Sequence, residues 1–137
     1  MNSLVIDCST TVGFVLPDEQ DVISLKALDA IEKKTPTYVP AHWCFEVTNA
    51  LLTAERRSRA SQSNIADFLN QIQALPVIVD EETARQATKT TYTLARQFGL
   101  TIYDAAYLEL ALRRRATLAT NDRDLLKAAK AAGVMVL

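Results

Sequence analysis

Leu100-Thr-Ile-Tyr-Asp104-Ala-Ala-Tyr-Leu-Glu-Leu-Ala-Leu112 places one acid near the start of a segment whose other residues leave no wide polar face. A helix apolar almost all round is a buried helix. An acid at its mouth either caps it through backbone N–H groups, worth about 0.5–2 kcal/mol, or does chemistry. Taken alone, the segment reads as a capped helix. That reading changes because an acid at the seam between an apolar strand and a helix recurs along the chain.

Working outward, residues 3–7, Ser-Leu-Val-Ile-Asp, predict a strand buried on both faces with Asp7 at its C-terminal tip. Ser9 or Thr10 is placed to cap a short helix to about Leu16, which Pro17 ends. A longer helix is predicted over about 19–33 with Val22, Ile23, Leu25, Leu28 and Ile31 facing inward. A second strand at 37–40 leads into a helix from about Ala41 that carries Trp43, Phe45, Val47, Leu51 and Leu52, with Glu46 and Asn49 among them. A helix from 61–63 stops before Pro76, and 77–79 form the third strand. A single helix is predicted from Glu81 or Glu82 to Gln97, closed by Gly99 in a left-handed cap. After residues 100–112, a fourth strand covers 116–120, Asn121 to Asp124 open a helix to about Ala132, and 134–137 form a last strand. Strands alternating with crossover helices imply an α/β protein, a three-layer α/β/α sandwich over a parallel sheet.

The 137 residues fit one domain over 1–137, and 49% hydrophobic against 23% charged residues suffices for a packed core. No signal peptide or membrane span is expected, and Cys8 and Cys44 read as small buried fillers in a reducing cytoplasm. A net charge of -1 argues against nonspecific coating of nucleic acid. The basic runs 56–59 and 113–115 read as solvated surface or as contacts to phosphates.

In open parallel sheets, sites form beyond the carboxyl ends of the strands. Asp7 and Asp122 fall there, and the helix starts bearing Glu46 and Asp104 should point there. Two carboxylates 4 Å apart repel by about 4 kcal/mol at an effective dielectric near 20, so four together require protons or cations. An all-oxygen site suits Mg²⁺ or Mn²⁺ better than Zn²⁺, and His42 is the sole histidine. Such ions at a sheet edge serve phosphoryl chemistry with water as the attacking group.

Four blocks carry a family resemblance: Val5-Ile-Asp-Cys-Ser9, Glu46-Val-Thr-Asn49-Ala-Leu51, Leu100-Thr-Ile-Tyr-Asp104-Ala-Ala-Tyr107 and Leu118-Ala-Thr120-Asn-Asp122-Arg-Asp-Leu125. In this order they resemble the PIN-domain ribonucleases, specifically VapC-type toxins of bacterial toxin–antitoxin modules. The resemblance implies a five-stranded parallel sheet of order 3-2-1-4-5 and a metal site of Asp7, Glu46, Asp104 and Asp122. Ser9 and Thr120 match supporting positions, Asn49 one that orients the acids, and Asp124 one that is only sometimes acidic. It further implies Mg²⁺- or Mn²⁺-dependent cleavage of RNA, with tRNA among the candidate substrates, leaving 5′-phosphates. A homodimer and a cognate VapB-type antitoxin follow by the same resemblance. Two other readings use the same residues: a haloacid dehalogenase-like phosphatase, which wants an Asp where Ser9 stands, and a catalytically silent RNA- or antitoxin-binding module.

Overall fold

Leu4, Val5 and Ile6 are completely buried, which a strand allows only where both faces of its sheet are covered. They form β1 (Leu4–Ile6), one of the two inner strands of an all-parallel sheet in the computed structural model, which describes residues 1–137. β2 (Thr37–Val39) pairs on one side with Leu4 opposite Thr37, and β4 (Thr117–Ala119) on the other with Leu4 opposite Thr117. β3 (Val77–Val79) adds outside β2, giving the order β3-β2-β1-β4.

The helices are α1 (Cys8–Val12), α2 (Val22–Glu32), α3 (Trp43–Arg56), α4 (Gln62–Ala74), α5 (Thr83–Ala87), α6 (Thr90–Phe98), α7 (Ile102–Arg114) and α8 (Arg123–Ala131). α7 is the central one. Its residues Ala105 to Ala111 are all buried, and it packs against β1, β2 and β4 as its composition predicts. The sheet has four strands where five were expected. Residues 134–137 lie beside β4, but only Leu118 exchanges hydrogen bonds with them, so the fifth strand is a single bridge between Leu118 and Val136.

Other expectations shift at the helices. The segment predicted as one helix from 81 or 82 to 97 is two, α5 and α6, broken at Lys89 (φ -123°, ψ -109°). Thr88, Thr90 and Thr91 surround the break, and β-branched side chains hold a helix poorly. α2 is N-capped by Asp21, whose side chain accepts from the Ser24 amide, and it buries Ser24, Ala27, Ala30 and Ile31. Val22 and Leu25, expected inward, are 64% and 50% exposed. The reason is a close approach: a Cβ on Gly13 would lie 2.0 Å from the Ser24 hydroxyl, which donates to the Thr10 carbonyl at 3.0 Å. Small residues let α2 sit tightly on α1, and the larger ones turn outward. α3 buries one stripe, Trp43, Val47, Leu51 and Ala54, so Phe45 and Cys44 are exposed rather than buried, and Leu52 is partly so. No helix is long and apolar enough to cross a membrane.

Candidate active site at the carboxyl edge of the sheet

Because every strand runs the same way, all the strand ends and the following helix starts gather at one edge. Asp7 follows β1 and N-caps α1, its carboxylate accepting from the Thr10 amide at 2.9 Å. Asp122, after β4, N-caps α8 and accepts from the Leu125 amide at 2.8 Å. Glu46 and Asp104 occupy the first turns of α3 and α7. The capping reading of Asp104 is overturned, because the Thr101 hydroxyl caps α7 by accepting from the Asp104 amide at 3.1 Å. The Asp104 side chain is thereby left to the pocket.

These four acids, from four separated segments, line one hollow of about 260 Å³ together with Cys8, Ser9 and Tyr107. A larger hollow of about 420 Å³ lies at the opposite end of the strands, bordered by Met1, Arg115 and Met135, and contains no acid. Each pocket acid sits at the positive end of a helix, which offsets part of the mutual repulsion.

The expected supporting residues divide. The Ser9 hydroxyl donates to Asp7 at 2.7 Å and accepts the Asn121 amide at 2.9 Å. The Thr120 hydroxyl also donates to Asp7, and accepts the Asp122 amide at 3.0 Å. Both therefore lock the loop after β4 onto the end of β1. Asn49, expected to orient the acids, is exposed and hydrogen-bonds to none of them. Asp124 is exposed as well, and borders a separate hollow with Gln97, Phe98 and Lys127, because two residues along α8 carry it off the pocket side.

Sequence reasoning did not assign Tyr107, whose hydroxyl donates to Glu46 Oε1 at 2.6 Å. Its signal was its spacing, one turn after Asp104 on the same face. His42 stands 3.4 Å from the same oxygen and does not line the hollow. Asp21, also unforeseen, accepts from Asn121 Nδ2 at 2.6 Å and ties the start of α2 to the loop bearing Asp122.

Charge perturbation marks the same hollow. Burial pushes Asp7 above the ordinary carboxylate range, against the hydrogen bonds from Thr120, Thr10 and Ser9. Burial, then the charges of Asp122 and Glu46, raises Asp104. The Cys8 thiol is pushed up to about 12, by burial first and by Glu46, Asp7 and Asp104 after it. Two acids of one cavity, Asp7 and Asp104, with raised affinity for protons are an expected feature of a functional site.

The arginines expected at the surface are partly committed elsewhere. Arg113 pairs with Asp80 at 2.7 Å and Glu109 at 2.7 Å, and Arg59 with Asp18 and Glu19 at 2.8 Å. Arg114 lies over the Tyr38 ring, 4.5 Å from its centre. Arg56, Arg57 and Arg115 are exposed without an ion-pair partner.

Residues 4–131 match the family model described as PIN domain. Ribonuclease VapC3 of Pyrobaculum aerophilum is 26% identical over 122 residues, spanning 89% of this chain and 91% of its own. The crystal structure of PAE2754, also from Pyrobaculum aerophilum, superposes with a TM-score of 0.71 at 21% identity, covering 98% of this chain and 88% of that one. Mycobacterium tuberculosis VapC20, a toxin that cleaves the sarcin-ricin loop, superposes with a TM-score of 0.64 at 18% identity, covering 97% of each chain.

Proposed function

The chain belongs to the PIN domain family, and on that premise we propose that it is a VapC-type endoribonuclease toxin, dependent on Mg²⁺ or Mn²⁺ and restrained by a VapB-type antitoxin. The carrying observation is the convergence of Asp7, Glu46, Asp104 and Asp122 in one pocket at the carboxyl edge of the sheet. The name of the 26% identical relative, a ribonuclease, supports the same chemistry.

An all-carboxylate donor set fits Mg²⁺ or Mn²⁺. No three of the acids stand ready-assembled around a common ion position. That is compatible with Mg²⁺, which keeps several of its waters and takes one or two carboxylates directly. In this reading Asp7, Glu46 and Asp104 would hold the ion, one or two of them directly and the rest through its waters, and Asp122 would complete the site. When bound, the ion supplies positive charge to the phosphate and acidity to the attacking water. The remaining work falls to the chain: Ser9 and Thr120 fix the Asp7 carboxylate, and Tyr107 fixes one oxygen of Glu46. Asp7 suits this role better than that of a phosphatase nucleophile, since Ser9, Thr10 and Thr120 all donate to its oxygens. The substrate is RNA, with tRNA among the candidates, and the protein works as a homodimer in the cytoplasm.

The test is cleavage of end-labelled RNA by the purified protein. Cleavage that stops with chelator and returns on adding Mn²⁺, leaving 5′-phosphate ends, is the expected result. No cleavage of any RNA with either ion overturns the reading and favours the silent binding module.

A further inference from the structure

On α3 and on α7, an exposed aromatic residue immediately precedes a pocket acid: Phe45, 81% exposed, before Glu46, and Tyr103, 63% exposed, before Asp104. Large rings in such positions bury little surface in the folded chain and remain available to a partner. Tyr103 is also braced. His42 meets its ring edge-on at 5.7 Å and an angle of 62°, and hydrogen-bonds through Nε2 to the Tyr103 carbonyl at 3.0 Å. The same imidazole meets Tyr107 edge-on at 5.3 Å, and Tyr107 reaches Glu46 inside the pocket. The three rings thus form one row from the acids to solvent, with Tyr103 at its open end. Phe45 has no ring partner.

Resting on the ribonuclease reading, we propose that Tyr103 is a stacking platform for one unpaired base of single-stranded RNA next to the phosphate held at the acid pocket. The electrostatics favour this occupant. The chain carries net charge -1, the pocket is acidic, and Arg59 and Arg113 are already paired, so backbone attraction to a polyanion falls to the few unpaired arginines such as Arg56, Arg57 and Arg115 and needs a second source of affinity. Base–aromatic stacking needs no charge and tolerates any base, because every base has a π-face. A ring braced by a neighbour yet 63% exposed leaves surface for a base and loses little freedom on binding.

The experiment is binding of a fluorescein-labelled ten-nucleotide oligoadenylate to the Asp7→Asn protein, which should not cleave it, with wild-type cleavage of the same RNA measured alongside. Tyr103→Ala and Tyr103→Leu should weaken binding about 5- to 100-fold, whereas Tyr103→Trp should retain it. An abasic nucleotide scanned along the oligomer should weaken binding at one position and have no further effect there in Tyr103→Ala. Unchanged affinity in Tyr103→Ala, or full affinity in Tyr103→Leu, overturns the stacking role while wild-type cleavage leaves the ribonuclease reading standing. A Tyr103→Ala protein that binds RNA normally but loses a co-expressed antitoxin assigns the ring to a protein interface and also overturns it. A wild-type protein that neither binds nor cleaves RNA removes the ribonuclease reading itself.

Discussion

Asp7 is held from three sides by groups whose own hydrogens are committed. Ser9 and Thr120 donate to it while accepting the amides of Asn121 and Asp122, so one carboxylate fixes the loop carrying another. Its charged form is nevertheless the costly one, because burial raises its affinity for a proton. Asp7→Asn should therefore lower RNA cleavage by at least about 100-fold, with a melting temperature equal to the parent's or a few degrees higher. Calorimetry beside the cleavage assay checks both, and full activity would remove Asp7 from the mechanism. Tyr107→Phe deletes only the hydroxyl that donates to Glu46. Glu46 is partly exposed, so water replaces most of that bond and stability should hardly change. The expected loss is in kcat, about tenfold, with KM within about twofold, as for a partner that orients a ligand. Steady-state kinetics on a labelled oligonucleotide separates the two.

At the scale of elements, α7 positions both Asp104 and Tyr107, and what pins its far end was not evident from the chain. Asp80, just after β3, is 3% exposed and takes two bonds from the Arg113 guanidinium, at 2.9 and 2.7 Å, while Glu109 takes two more. This buried cluster clamps the end of the edge strand to the C-terminal turn of α7. Burial pushes Asp80 up, but the Arg113 and Thr83 hydrogen bonds outweigh it and hold the carboxyl below its ordinary range. Asp80 therefore contributes stability above the unfolded value of 3.8, and the contribution is lost as pH falls through the lower folded value. Asp80→Asn should cost about 1–3 kcal/mol at neutral pH, and the gap from wild type should narrow below about pH 4. Urea unfolding across that range measures it. A gap that stayed constant with pH would mean that the carboxylate charge is not what stabilises this clamp.

For the molecule as a whole, the sheet gathers mutually repelling acids at one edge and accepts the strain that a cation would relieve. A ligand that binds only the folded state stabilises by mass action, by about 2.7 kcal/mol at a hundred times its dissociation constant. Saturating Mn²⁺ should accordingly raise the melting temperature by about 5–10 °C. Most of that shift should vanish in Asp104→Asn. An equal shift in the variant would place the bound ion away from this pocket.

The sequence alone determined the alternation of strands and helices, the burial of α7, and the placement of Asp7, Glu46, Asp104 and Asp122 at helix starts on one edge. These follow from local periodicity and from the fixed direction of parallel strands, which any window of residues carries. It left the cap of α7, the break between α5 and α6, the outward turn of Val22, Leu25 and Phe45, and the reduction of the last strand to one bridge undecided or wrongly placed. Those depend on which neighbour occupies the space, as Ser24 against Gly13 does. Only the tertiary structure paired Thr120 with Asp7, Tyr107 with Glu46 and Arg113 with Asp80, across separations of 113, 61 and 33 residues. Backbone preference is set by near neighbours, whereas a hydrogen bond between distant side chains exists only once packing has brought them together.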